Sequence, residues 1–125
     1  MKKITFLISL VFILSSCSPK IVGEWNVSKY QTTKPGIENI SLNNIGTMTF
    51  KSNNEGEKNL DYTVLGITKK DNVPFTWKAT EKYITIDSEN SDFAKTWIIL
   101  ESKNSSQIWK STNGENEVQT IELTK

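Results

Sequence analysis

The stretch that decides the fold is residues 47–64, which read TMTFKSNNEGEKNLDYTV. Met48 and Phe50 alternate with polar neighbours in its first part. Because the side chains of a β-strand point alternately to its two faces, this period of two predicts a strand with one buried face. Asn53-Asn54-Glu55-Gly56 is rich in residue types that tolerate positive φ, so it predicts the turn of a β-hairpin.

The same period continues on both sides of this hairpin. After it, Leu60, Tyr62 and Val64 share one face of the next predicted strand. Before it, Val22 to Tyr30 predicts a strand, and the polar stretch Gln31 to Asn44, which contains Pro35-Gly36, predicts a long loop. Further along the chain we expect the second hairpin strand to end near Thr68 and a turn at Lys70-Asp71-Asn72. Two inward pairs follow, Phe75 with Trp77 and Ile84 with Ile86, and then an apolar strand, Phe93 to Leu100, with both faces at least partly covered. The end of the chain predicts a turn at Asn104-Ser105-Ser106, a hairpin turn at Thr112-Asn113-Gly114 and a last strand, Val118 to Leu123.

Together these patterns predict about eight strands, joined mostly by short turns, and no amphipathic helix in the mature part of the chain. Short connections make sequential strands antiparallel neighbours, which favours a meander. Eight strands of this length are enough to close into a small barrel, and closure removes the exposed sheet edges. We therefore predict an all-β, eight-stranded antiparallel meander barrel, with a two-sheet β-sandwich as the alternative.

The composition excludes several classes of function. The 125 residues include 15 lysines and 14 acidic residues, with one cysteine and neither arginine nor histidine. A charge near zero gives no basic face for nucleic acid. Without histidine, the usual zinc and haem sites lack ligands, and serine–histidine and cysteine–histidine catalysis are excluded. We expect no enzyme, no metal, no cofactor and no nucleic-acid partner.

The N-terminus carries the strongest functional signal. Lys2 and Lys3 precede an apolar run, Ile4 to Leu14, which is too short at about 16 Å to cross a membrane but has the length of a signal-peptide core. Leu14-Ser15-Ser16-Cys17 follows, and it resembles the bacterial lipobox. This predicts a lipoprotein signal peptide over residues 1–16 and a barrel domain over 17–125, anchored through a lipid on Cys17. An ordinary secretory signal and a buried core helix are the alternatives.

The residues after Cys17 indicate where the anchor places the domain. Ser18, rather than Asp, follows the cysteine, which by resemblance to bacterial lipoproteins favours export to the outer membrane. The acidic cluster typical of surface-exposed lipoproteins is missing from Ser18-Pro19-Lys20-Ile21. We predict a cell-envelope protein on the outer membrane that faces the periplasm, with a linker short enough to keep the domain close to the bilayer.

Gly23 and Trp25 form a Gly-x-Trp motif in the first predicted strand, and Gly46-Thr47-Met48-Thr49-Phe50, Phe75-Thr76-Trp77 and Thr96-Trp97-Ile98 follow in later ones. The first motif resembles the signature of the lipocalin and fatty-acid-binding (calycin) family. Over nearly the whole mature chain, the set resembles the lipocalin-like lipoproteins of Bacteroidota. The resemblance implies a barrel in which Trp25 plugs one end. Lipocalins stack an arginine on this tryptophan, and Lys125 is the candidate for a partial replacement.

Ten aromatic rings supply enough apolar area to fill a small barrel, and each of them is an ordinary core candidate. A subset is the candidate lining of a pocket for a small hydrophobic ligand or lipid. The expected function is therefore ligand binding at the membrane, and the alternative is an envelope interaction, structural or inhibitor-type module with a filled barrel. The ten rings are Trp25, Tyr30, Phe50, Tyr62, Phe75, Trp77, Tyr83, Phe93, Trp97 and Trp109, and the pocket candidates are Tyr62, Phe75, Trp77 and Trp97.

The acidic loop Asp87 to Asp92 has two interpretations. Asp87, Glu89 and Asp92 offer carboxylate oxygens of the kind that calcium binds. The spacing and the central glycine of an EF-hand are missing, so a solvated turn is the preferred interpretation.

Overall fold

The computed structural model describes residues 20–34, 36–112 and 117–125. These residues form nine β-strands and no helix, so none of them belongs to a helix long and apolar enough to cross a membrane. The strands are β1 (Gly23–Lys34), β2 (Ile37–Phe50), β3 (Glu55–Val64), β4 (Ile67–Asp71), β5 (Phe75–Ala79), β6 (Tyr83–Asp87), β7 (Thr96–Lys103), β8 (Ser106–Thr112) and β9 (Val118–Thr124).

Every pairing between neighbouring strands is antiparallel, and eight of the strands close on themselves. The sheet runs β2-β1-β9-β8-β7-β6-β5-β3, and the pairing of β2 with β3 joins its two edges. This confirms the predicted all-β, eight-stranded antiparallel barrel over the β-sandwich. β4 is an additional strand, which pairs with the second half of β3.

β4 and β5 together act as one interrupted wall strand. Both pair with the same edge of β3: Val64 to Leu60 face β4, and Gly56 to Glu55 face β5. The interruption contains Pro74, which has no backbone N–H to donate to a ladder. The hydrogen-bonded wall is therefore broken beside the middle of β3.

The prediction of a long loop at Gln31 to Asn44 is wrong. These residues continue β1 and form most of β2, with Tyr30 opposite Leu42 and Thr32 opposite Ile40. The connection contains Gly36 at φ +76°. The hairpin is built largely from polar residues, so apolar alternation did not reveal it.

Three further boundaries differ from the prediction. β3 ends at Val64, not near Thr68, because Leu65 and Gly66 both adopt positive φ and turn the chain directly into β4. The predicted turn at Lys70-Asp71-Asn72 is instead largely the end of β4. The apolar strand begins at Thr96 rather than Phe93 and exposes one face. The turn between β7 and β8 was predicted correctly, and most of the predicted turn at Thr112-Asn113-Gly114 lies outside the described residues.

The interior follows from the alternation. β3 and β6 alternate exposed and buried residues almost without a break, and nine of the ten aromatic rings are buried. Tyr83 is the exception, because it lies on the outer face with 49% of its surface exposed. The Phe75–Trp77 and Ile84–Ile86 pairs point inward as predicted.

The meander gives the barrel two ends. The base is the end where β1 begins, where β9 ends, and where the chain turns at residues 51–54, 80–82 and 104–105. The distal end carries the connections at 65–66 and 88–95. The described chain enters at the base through Lys20 and Ile21.

Candidate functional site

The four predicted pocket residues are all buried, and the structure divides them between two ring clusters. Phe75 and Trp77 contact Phe50, with ring centroids 5.1 and 5.7 Å away. Phe75 also lies against Gly56, where a Cβ would come within 2.2 Å of the ring. The indole N–H of Trp77 donates to the Glu55 carbonyl at 2.9 Å. Both rings therefore pack against other rings or the backbone of the protein, and the indole N–H of Trp77 has a hydrogen-bond acceptor.

Tyr62 and Trp97 belong to the cluster nearer the distal end. Phe93 links them, with its ring centroid 6.0 Å from Tyr62 and 6.5 Å from Trp97. Trp97 contacts Trp109 at 6.3 Å, and Trp109 contacts Phe50 at 5.9 Å. The two clusters thus form one continuous series of rings through the interior.

The base is closed by the Gly-x-Trp motif and the last residue of the chain. Trp25 is fully buried, and its indole N–H donates to the Ile21 carbonyl at 2.7 Å. The Lys125 amine lies 4.6 Å from the centre of the Trp25 ring, in cation–π geometry. Gly23 has φ +133°, and a Cβ there would lie 2.8 Å from that amine. Lys125 thus occupies the stacking position that the resemblance assigned to an arginine.

The distal end is closed by polar groups. The Tyr62 hydroxyl donates to an Asp92 carboxylate oxygen at 2.9 Å, and the Lys69 amine donates to the same oxygen at 2.9 Å. Burial opposes ionisation of Asp92, but the hydrogen bonds from Lys69 and Tyr62 outweigh it and hold the pKa of the carboxyl below its usual value. Burial and this hydrogen bond raise the pKa of the Tyr62 phenol. Asp92 therefore stays ionised and ties its loop to β3 and β4.

A second series of side-chain hydrogen bonds crosses the distal end. The Gln119 amide donates to the Tyr30 hydroxyl at 3.0 Å, and Gln119 accepts a hydrogen bond from the Lys95 amine. That amine also lies 5.5 Å from the centre of the Trp97 ring. Burial lowers the pKa of Lys95 and raises the pKa of Tyr30. We call Tyr30, Tyr62, Lys69, Asp92, Lys95 and Gln119 the distal network.

A buried ion pair supports the wall at the interruption between β4 and β5. The Lys58 amine lies 2.9 Å from Asp71, with both side chains almost fully buried. Lys58 also donates to the Ser88 hydroxyl at 2.8 Å, and Ser91 donates to Asp71 at 2.6 Å. The Lys58 amine is 5.8 Å from the centre of the Phe75 ring. The sequence reasoning missed this pair, although Lys58 lies on the same face of β3 as Leu60 and Tyr62.

The 88–95 loop is a structural part of the distal end. Ser88 and Ser91 bind the ion pair, and Asp92 is paired with Lys69, so three side chains of the loop are fixed to β3 and β4. No group of acidic, histidine or cysteine residues in the described part of the chain could hold a metal ion. Asp87 and Glu89 remain exposed.

An open cleft of about 650 Å³ lies at the base, between the entering chain and β5 to β8. We call it the basal cleft. Its apolar lining is Ile21, Ile84, Ile99 and Trp109, and Lys20 and Glu81 are the charged residues that line it. Phe75 lines a second open cleft, of about 720 Å³, and Trp77 lines a third, of about 360 Å³.

The comparison with known families finds one match. Residues 1–18 match the model of the prokaryotic membrane lipoprotein lipid attachment site. No curated protein and no solved structure matches the chain. The chain is thus a lipid-anchored lipoprotein of the cell envelope with an eight-stranded barrel domain. Leu14, Ser15, Ser16 and Cys17 lie in the matched segment and outside the described residues, and the lipid on Cys17 itself stays a prediction.

Proposed function

We propose that this lipoprotein acts through the outer surface and end loops of a lipocalin-like barrel whose interior is filled by its own side chains. It is an interaction or accessory module of the envelope, and its role is not catalytic. The observation that carries this proposal is the continuous series of contacting rings from Tyr62 through Phe93, Trp97 and Trp109 to Phe50.

The polar groups of the interior support the same function. Eight strands make a barrel of the size that side chains alone are able to fill. Each of the four indole N–H groups donates to an oxygen of the chain. No buried side-chain nitrogen or oxygen in the described residues lacks a hydrogen-bond partner. A ligand inside the ring series would have to displace rings that already have partners, and it would gain no unpaired polar group in return.

The lipocalin-like character rests on the base. Gly23, Trp25 and Lys125 reproduce the arrangement in which a cation covers the motif tryptophan at the closed end of the barrel. The tie to Bacteroidota lipoproteins rests on the motifs alone.

Probe uptake tests the filled interior. The lipidated protein in detergent is expected to give an apo mass by native mass spectrometry and no saturable change of tryptophan fluorescence with benzene. Phe93→Ala is the matched positive control, because removing a fully buried ring leaves an apolar void of the kind that binds benzene. Leu60→Ala serves if Phe93→Ala does not fold. Saturable uptake by the wild-type protein that is lost in Trp77→Ala would contradict the proposal.

A small apolar ligand or lipid remains a second candidate, and the basal cleft is the observation that favours it. Ile21, Ile84, Ile99 and Trp109 give this cleft an apolar lining at the end where the anchored chain enters. A lipid that co-purifies with the wild-type protein should be lost in Ile99→Asp. Thr96→Asp is the matched control, because Thr96 lies exposed on the same strand and does not line the cleft. An apo mass for the wild-type protein eliminates this candidate.

The membrane is the third part of the proposal. We place the protein on the outer membrane, facing the periplasm, because Ser18 follows Cys17 and no acidic cluster comes after it. Density-gradient fractions should hold the wild-type protein with the outer membrane and Ser18→Asp with the inner membrane. Protease added to intact cells should leave the wild-type protein uncut; cleavage there would show that it faces the outside.

A further inference from the structure

Three apolar side chains lie exposed on the outer wall of the barrel near the base. Tyr83, Ile98 and Leu100 expose 49%, 43% and 58% of their surfaces. Tyr83 is opposite Ile98 across the β6–β7 ladder, and Leu100 lies two residues closer to the base on β7. We call these three residues the β6–β7 patch. The apolar sequence of β7 predicts that both of its faces are at least partly covered, and within the described chain this face is the less covered one.

The chain enters the barrel at the base end of the strands that carry this patch. Lys20 and Ile21 line the basal cleft together with Thr80, Glu81 and Ile99. Ile99 lies between the two patch residues of β7, and its N–H donates to the Lys82 carbonyl at 2.8 Å. The segment that leads to the lipid therefore leaves the barrel at the foot of the β6–β7 wall.

The length of that segment limits the distance between the patch and the bilayer. From Cys17 to Lys20 the chain spans at most about 11 Å when fully extended. The headgroup layer on one side of a bilayer is itself about 5–7 Å thick. With the acyl chains in the hydrocarbon, Lys20 therefore lies in or next to the headgroup region.

The charges around the patch complement an anionic lipid surface. Lys20, Lys82 and Lys110 are exposed, and Lys110 is opposite Ile98 on the neighbouring strand. Lys103 lies at the base end of β7, 3.7 Å from Glu101, and Glu81 is the other acidic residue on this side. Lys82, Lys103 and Lys110 thus lie on or next to the two strands that carry the patch, and Lys20 lies where the chain enters the barrel.

We propose that the β6–β7 patch docks on the bilayer surface, so that the barrel lies with this wall and its base on the membrane. Tyr83 lies at the level of the headgroups, where aromatic rings with a polar tip are favoured, and Ile98 and Leu100 enter the boundary with the acyl chains. The lysines bind the phosphates of anionic phospholipids. The distal end, with its network and its 65–66 turn, is thereby directed away from the membrane.

Site-directed labelling of the lipidated protein tests the orientation. Cys17 is the chain's one cysteine and the predicted acylation site, so an introduced cysteine supplies the one free thiol for labelling in the lipidated protein. An environment-sensitive fluorophore is placed at Leu100→Cys or Ile98→Cys. Leu65→Cys is the matched control, because Leu65 is an exposed leucine, at 74%, at the opposite end. The proteins are reconstituted in vesicles of phosphatidylethanolamine and phosphatidylglycerol.

The expected result is shielding of the patch labels only. Iodide in the water should quench the labels at 98 and 100 about threefold less than the label at 65, and nitroxide lipids should quench only the patch labels. Equal access of iodide to all three labels would overturn the proposal. Shielding that disappears when the protein is diluted in the membrane would assign the patch to a second copy instead. Equal shielding in neutral phosphatidylcholine vesicles would show that the lysines do not contribute to the binding of the patch to the membrane.

Discussion

At the base, the barrel is closed by one fully buried indole ring under a lysine amine, with Gly23 leaving room for that amine. At the distal end, it is closed by hydroxyl, amide and charged groups from β1, β3, β4, the 88–95 loop and β9. The base depends on apolar burial and one local motif. The distal end depends on charges whose ionisation varies with pH.

This difference separates two functions of one small fold. The base faces the side from which the anchored chain enters, and the burial of the apolar Trp25 ring there involves no change of ionisation with pH. The distal end carries Leu65 and Ile67, which expose 74% and 62% of their surfaces. Under the proposed function, the end farther from the anchor is the one available to other envelope components.

Trp25→Ala is expected to have the largest effect on stability. Removing a fully buried tryptophan costs about 3–5 kcal/mol of the free energy of unfolding, because the transfer term and the cavity term add. Urea unfolding measures the change. Lys125→Met is the control, with a loss of about 0.5–1 kcal/mol from the cation–π contact alone. A smaller loss in Trp25→Ala than in Lys125→Met would show that the indole does not close the base.

The buried ion pair gives the next effect. Asp71→Asn leaves the Lys58 amine buried without its counterion, which is expected to cost about 3 kcal/mol. The double variant Lys58→Met with Asp71→Leu removes both charges. We expect its free energy of unfolding to lie within about 1 kcal/mol of the wild-type value. The single variants Lys58→Met and Asp71→Leu complete the cycle, and single losses that add up to the loss in the double variant would show that the two side chains are not coupled.

The Gly-x-Trp part of the base could be predicted from the sequence because it is local. Gly23 and Trp25 are two residues apart in one motif, whereas Lys125 lies at the other end of the sequence and became a candidate partial replacement for an arginine only through the resemblance. The distal network was not predictable, because Tyr62 and Lys69 meet Asp92 from 30 and 23 residues away. No local pattern marks such contacts.

The errors in the fold have a physical cause too. Apolar alternation reports burial, so it found the strands that line the core and missed the polar hairpin at Gln31 to Asn44. The same alternation places Lys58 on the face of Leu60 and Tyr62, but Lys58 was not predicted to point inward. The charge of Lys58 hid this, because a buried amine is expected only where a carboxylate such as that of Asp71 is known to be near.

The effect of pH should separate the two ends. The pKa of Asp92 is lowered in the folded protein, so its contribution to stability is present above the ordinary value near 4 and is lost as the pH falls through the folded value. Asp92→Asn should therefore lower the free energy of unfolding near neutral pH, and by less than about 1 kcal/mol, because the carboxylate is partly exposed.

Urea midpoints measured from neutral to acidic pH check this expectation. The difference in urea midpoint between the wild-type protein and Asp92→Asn should become smaller below about pH 4. The gap between the wild-type protein and Lys125→Met should stay constant there, because the contact of a lysine with an indole involves no carboxylate. If the difference in urea midpoint for Asp92→Asn does not change with pH, the ionised Asp92 does not stabilise the distal end.

The smallest expected effect is at the tip of the β3–β4 hairpin. Leu65 and Gly66 form a two-residue turn with φ +51° and +81°, a geometry in which asparagine is favoured and leucine is strained. Because Leu65 is exposed and packs against little, Leu65→Asn should stabilise the protein by about 0.5–1 kcal/mol in urea unfolding. Gly66→Ala, the matched control, should destabilise it, because alanine disfavours positive φ. A stabilised Leu65→Asn means that the native tip retains a strained, solvent-exposed leucine against its own folding preference, which is the behaviour expected of a contact residue on the exterior. A destabilised Leu65→Asn would instead make Leu65 part of the distal closure, and the contrast between a rigid base and an available distal end would weaken accordingly.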